Sequence, residues 1–419
     1  MSAGIRWRLT VMMFLEFAIW GAWAPVLGAY LGGELHFTGD QIGLIFGMLP
    51  LASIVAPMIF GQLADRYVAT QWLLAGLHLV GAVLLWMMAD AHQYGPFLWI
   101  MLAYSVAFAP TLVLTNSLCF SHLRDVDREF GGIRVGGSLG WIVAGFSLTA
   151  WLWFAHTTSQ SNCLRLAAIF SLLLGLFSLA LPNTSPRREG TDPWAFLKAF
   201  GLLKERSFLV FMVISFIVAT ELQFYYILTA PFLQDSMHVH PQNTSSVMAI
   251  AQIAEVVVMA VLLPWLLPRW GIRKIMVAGI LAWPIRYAVF ALGAHFGSGW
   301  LPVVEASLAL HGFCYVFFFI VGFIYVDRVA PRDIRHSAQS LIGVITLGIG
   351  LYLGSRLAGW LHDFFTQPKG HVVNWTALFL VPCAVTILCA IVFPLIFKER
   401  AEADLSQSAT IIHRNSDME

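Results

Sequence analysis

Lysine and arginine occupy this chain in alternation. Twelve apolar runs, each roughly 20 residues long and so able to cross a bilayer as a helix, divide the sequence, and nineteen of its 24 basic residues lie in one alternating set of gaps and flanks. That set includes Arg66 after the second run, Arg124 and Arg128 after the fourth, Arg269, Arg273 and Lys274 after the eighth, and Arg328, Arg332 and Arg335 after the tenth. The opposite set holds only Lys369, and four arginines (Arg134, Arg165, Arg286, Arg356) lie inside runs. Basic residues collect on the cytoplasmic side of membrane proteins. The pattern therefore demands an even number of crossings and places both termini in the cytoplasm.

Composition narrows the function classes further. Charged residues make up 11% of the chain, against about a quarter in a soluble domain. The net charge of +1 says nothing of nucleic acid, and with no basic stripe beyond the rim no nucleic-acid partner is expected. The five cysteines sit in or beside apolar runs without metal-ligand spacing and read as small packing residues. No cofactor is implied. No His-Glu-x-x-His, Gly-x-Ser-x-Gly or phosphate-loop motif occurs, so an enzyme is not expected. The first run continues through Trp20, Trp23 and Pro25 to about Leu31, which is too long for a cleaved signal.

The runs predict an all-α integral membrane protein with helices near 9–31, 42–63, 71–90, 96–118, 131–153, 163–181, 207–233, 245–267, 275–296, 301–325, 337–360 and 375–397. A polar, basic stretch at 182–206 separates a six-helix unit at 1–181 from a second at 207–397, and 398–419 reads as a polar tail. Within the connector, Pro193 to Phe200 reads as a short amphipathic helix on the inner leaflet. A charge repeat supports the division: Arg124, Arg128 and Glu129 are answered by Arg328, Arg332 and Asp333, each 204 residues on. Two pseudo-symmetric halves are the architecture of a rocking secondary transporter with its site at mid-membrane.

An ionisable side chain at the bilayer centre costs about 2.5–3.5 kcal/mol on insertion scales, so each needs a reason. Gln252 and Glu255 are three apart and share one helix face; they could point into a cavity or merely fix packing by an interhelical bond. Arg134, Ser138 and Trp141 form a stripe within a glycine-rich helix. That stripe suits a flat, polar, ring-bearing ligand, or else Arg134 neutralises Glu255 or Glu16. Gln223 and Tyr226 share a face of the seventh helix, with Glu221 rotated away, and His311 and Tyr315 share one of the tenth. Glu255, Glu16 and His311 are the groups able to carry a proton. Arg286 and Arg356 read as structural. Arg165 and Glu305 lie near outer helix ends, where snorkelling to headgroups accounts for them.

Several motifs in register resemble the nucleoside:H+ symporter family of the major facilitator superfamily. They are Phe17-Ala18-Ile19-Trp20-Gly21-Ala22-Trp23, Ala109-Pro110-Thr111-Leu112, Ile133 to Trp141, Glu221-Leu222-Gln223, Gln252-Ile253-Ala254-Glu255 and Ser337-Ala338-Gln339. Gly61 to Arg66 is similar to the start of the superfamily's cytoplasmic loop motif, without its basic continuation. The resemblance implies import of nucleosides across the bacterial inner membrane, driven by protons. It also implies ligand contacts at Arg134, Ser138, Trp141, Gln223, Tyr226, Gln252, Glu255, His311 and Tyr315. Members similar to this chain carry an aspartate directly after the position of Tyr315, where this sequence has Val316. Coupling would then pass to Glu255, Glu16 or His311, or be lost. The expected protein is a monomeric, lipid-embedded symporter of a nucleoside and a proton. The alternatives on the same fold are a sugar or glycoside symporter and an uncoupled nucleoside facilitator.

Overall fold

The computed structural model describes residues 3–184, 186, 195–331, 334–367 and 372–398. Six apolar helices form the N-terminal half: α1 (Ala3–Glu34), α2 (Gly39–Arg66), α3 (Thr70–Ala89), α4 (Tyr94–His122), α5 (Glu129–Phe154) and the shorter α6 (Asn162–Ser178). A 3₁₀ turn at Ala195–Lys204 leads into α7 (Arg206–Asp235). The next helical stretch, Pro241–Phe296, is 56 residues long and breaks at Gly271, whose φ of 72° is open to glycine. The break makes two crossings of it, α8 (241–270) and α9 (272–296). Three more follow: α10 (Ser298–Val329), α11 (Ser337–Phe364) and α12 (Trp375–Ile396). These twelve spans coincide with the apolar runs, extending most of them by a few residues. Pro193 and Trp194 of the expected amphipathic segment, Lys369, Arg332 with Asp333, and the tail from 399 lie outside the described residues.

Each half packs mainly within itself. In the first half α1 runs along α5 and α6, and α4 lies between α2 and α3; in the second, α9 packs on α12 and α7 on α11. The α1–α5 seam is unusually close because Gly140 presents bare backbone to the Phe14 carbonyl; a Cβ there would stand 1.9 Å from that oxygen. Large apolar side chains such as Val83, Leu176, Leu388 and Leu395 are left exposed, as a lipid-facing surface requires. All five cysteines are buried and unbridged.

The halves meet at the end of the bundle away from Ala3 and Ile396. There α2 begins with a reciprocal capping box, Thr38 accepting from the Gln41 amide and Gln41 from the Thr38 amide. Asp363 of α11 adds both carboxylate oxygens, accepting from the Gly39 amide at 2.6 Å and the Asp40 amide at 2.8 Å. A carboxylate at a helix N-terminus also opposes the helix dipole favourably. Arg356 pairs with the Asp40 side chain and donates to its carbonyl at 2.8 Å. Gly39 and Gly359 meet backbone to backbone; a Cβ on Gly359 would lie 2.1 Å from the Gly39 carbonyl. A second seam joins α5 to α8: Gln242 donates to the Leu152 and Thr157 carbonyls at 3.1 and 2.9 Å, and Trp153 donates to Asn243 at 2.9 Å. Arg165, near the start of α6, pairs with Asp90 at 2.8 Å.

Candidate functional site

Between the halves lies a cavity of about 560 Å³, within the range of small-molecule sites. It extends from mid-membrane toward the end that carries Gln62, Asn116 and Ser340, opposite the sealed end. Its walls come from both halves, which is what lets a bound molecule sense their relative position.

From α5, Arg134, Ser138 and Trp141 reach the cavity together, as their spacing predicts. The Gly140 contact holds this helix against α1, so Phe17 and Trp20 of α1 complete the same wall. The Arg134 guanidinium lies over the Phe17 ring, 4.0 Å from its centroid. This places the charge on an aromatic face and leaves its edge to the cavity. Trp20 and Trp141 pack at 5.4 Å, and Trp141 approaches Tyr226 of the opposite half at 6.2 Å. Phe17 and Trp20 were legible only as motif members. Nothing in their spacing singles them out from the other aromatics of α1.

From the second half come Gln223 and Tyr226 on α7, Gln252 and Glu255 on α8, and Tyr315 on α10. Gln223 is buried, and its Oε1 accepts no hydrogen bond among the described residues. A buried acceptor facing a cavity is satisfied by a donor on the ligand or by water. Gln252 and Glu255 open onto the same space. Eight of the nine expected contact residues thus line one chamber.

His311 is the exception. It is fully buried, with Nδ1 3.1 Å from Arg286 Nη1 and its ring stacked on Tyr225 at 4.4 Å. Tyr315 still stacks against it at 6.0 Å, yet Tyr315 faces the cavity and His311 faces α9. The helix winds as a π-helix over Phe313–Ile320. Arg286 is also fully buried, its guanidinium carbon 4.7 Å from the ring centroids of Tyr225 and Trp283 and 5.3 Å from that of Tyr287.

Glu16 likewise lies behind the wall. Its Oε2 is 2.9 Å from Nε2 of His78 on α3, although the ring N–H does not point squarely at it. Its Oε1 is 2.6 Å from the Thr111 hydroxyl of α4. The pairing of Glu16 with Arg134 that the sequence allowed is therefore not made. His78 escaped the sequence reading because a single histidine in an apolar run carries no spacing signal.

The family of nucleoside H+ symporters matches residues 3–402 of this chain. A putative nucleoside transporter of Escherichia coli, YegT, is 33% identical over 402 residues, covering 94% of this chain and 93% of its own. The nucleoside permease NupG of the same organism is 29% identical over 425 residues, covering 98% of this chain and all of its own. The crystal structure of NupG superposes with a TM-score of 0.82 at 28% identity, across 94% of this chain and 100% of that one. A transmembrane bundle with a shared polar cavity, matched in sequence and shape along nearly its whole length, places this chain in the nucleoside H+ symporter family.

Proposed function

We propose that this chain imports nucleosides together with protons across a bacterial inner membrane, alternating between arrangements open to either side. The observation that carries this reading is the convergence of Arg134, Ser138 and Trp141 with Gln223, Gln252 and Glu255 on one chamber between the halves. A nucleoside has a flat base and a neutral, polar ribose. Stacking on Trp141 accepts any base, whereas Gln223 and Gln252 offer both donors and acceptors to its edge. Arg134 and Ser138 supply donors to ribose or carbonyl oxygens. The basic connections put the Gln62 end in the cytoplasm, so the arrangement described is inward-facing and both termini are cytoplasmic. Tyr226 and Tyr315 narrow the chamber on the C-terminal side. The unit of function is a monomer embedded in lipid.

Glu255 is the coupling residue within the chamber. Occluding it charged in a site that closes around a ligand costs desolvation, and a proton removes that cost, so closure and protonation favour one another. Saturable uptake of radiolabelled uridine into vesicles, stimulated by an inward proton gradient, is the expected result; no saturable uptake of any nucleoside ends the reading. Glu255→Gln is expected to abolish uphill accumulation and leave exchange intact. One observation favours a second reading: Val316 is buried and apolar, so α10 brings no carboxylate at that position. An uncoupled facilitator would show uptake indifferent to the proton gradient. Competition by sugars but not by nucleosides would instead assign a glycoside substrate.

A further inference from the structure

We propose that Glu16, clasped by His78 and Thr111 in the N-terminal half, is a second proton-carrying site of the transporter, outside the ligand chamber. This rests on the symport reading above. Glu16 and Thr111 are fully buried and His78 is 1% exposed, so the cluster trades protons only when the surrounding helices part. The geometry around Thr111 is what separates it from an inert pair. Its single hydroxyl lies 2.6 Å from Glu16 Oε1 and 2.7 Å from the Phe108 carbonyl, and one hydrogen serves only one of them at a time.

Two arrangements of the hydrogens fit the close contact of Thr111 with Glu16 Oε1. With the carboxylate ionised, Thr111 donates to Oε1, and His78 Nε2 lies 2.9 Å from Oε2. When a proton adds to Oε1, the new carboxyl O–H donates to Thr111 Oγ1, and the threonine hydrogen turns to the Phe108 carbonyl. Release reverses both rotations. One proton enters, one leaves, and the charge of the pocket changes by one with no heavy atom displaced.

Three other polar groups of the surrounding helices are engaged elsewhere among the described residues. From α4, the Tyr104 hydroxyl accepts from Trp23 Nε1 at 3.3 Å. From α6, Ser171 donates to the His78 carbonyl at 2.8 Å. From α5, Arg134 rests on the Phe17 ring. Glu16 also has a mechanical route to the chamber. Phe17 beside it and Trp20 one turn on both line the cavity, and the backbone contact of Phe14 with Gly140 ties this stretch of α1 to the helix carrying Arg134, Ser138 and Trp141. Adding or removing a charge at Glu16 therefore biases the helix pair that forms the N-terminal wall.

Infrared difference spectra of the purified full chain across a pH titration, with no nucleoside present, read protonated carboxyls directly. The expected carbonyl band is lost in Glu16→Gln, kept in Glu255→Gln, and shifted in Thr111→Val and His78→Gln. In proteoliposomes, Glu16→Gln should lower proton-driven accumulation about tenfold while counterflow stays within about twofold. A spectrum unchanged by Glu16→Gln overturns the proposal. So does loss of the band with accumulation unchanged, which makes the cluster a static acid, and so does an equal fall of accumulation and counterflow, which makes it a packing element. If Glu16→Gln fails to fold, Thr111→Val, which keeps the carboxyl, decides by the same two readings. If the wild type takes up no nucleoside, the substrate assignment falls, and the infrared series alone decides for or against protonation at Glu16.

Discussion

The two halves each bury an ionisable group behind the chamber wall, and they make it tolerable in opposite ways. In the first half Glu16 is met by polar partners on both oxygens, His78 at 2.9 Å and Thr111 at 2.6 Å. In the second half Arg286 is met by rings: Tyr225, Trp283 and Tyr287 surround its guanidinium, and only Nη1 has a close nitrogen partner, in His311. Its Nε and Nη2, and Oε2 of the neighbouring Glu221, make no hydrogen bond among the described residues. Aromatic faces offer a cation a diffuse negative potential but no acceptor to give a proton to. Polar partners offer a carboxylate alternatives for its proton. The contrast makes the first cluster suited to changing state and the second to holding one.

The sharpest way to break that contrast is Arg286→Ala. It removes the cation from three rings and from His311 and empties a fully buried site, at an expected cost of about 2–5 kcal/mol. Thermal unfolding in detergent checks it; a melting temperature equal to wild type would show the ring cage to be dispensable. A smaller effect separates the two walls of the chamber. Trp141→Ala on the first half should weaken binding of every nucleoside by about 1–3 kcal/mol, since stacking is indifferent to the base. Calorimetric titration with a purine and a pyrimidine nucleoside reads it, and a loss confined to one of them would mean Trp141 reads edges. Smallest is Gln252→Ala on the second half. The loss of a hydrogen bond, about 0.5–1.5 kcal/mol, should differ between bases in the same titration. Equal losses would place Gln252 on the ribose.

Much of this was legible in the chain because the membrane makes polarity expensive. The alternation of basic gaps yields the spans, and the costly side chains at membrane depth mark the chamber. Arg134, Ser138 and Trp141 arrive together because α5 is regular over their stretch, and so do Gln252 and Glu255 on α8. His311 did not follow Tyr315 into the chamber because its ring is held by Arg286 and Tyr225, contacts that tertiary packing sets. His78 stayed invisible because its role depends on a carboxylate 62 residues away in sequence. Asp363 was hidden for the same reason: its partners are the amides of a helix start more than 300 residues earlier.

The meeting of Gly39 with Gly359 has a consequence for leakage. Bare backbone on bare backbone has no side chain that thins out by degrees. Parting by the width of one water molecule also severs the amide bonds to Asp363. The far-side closure therefore has a threshold and not a gradient, and a carrier living on an ion gradient needs a door that is either shut or open.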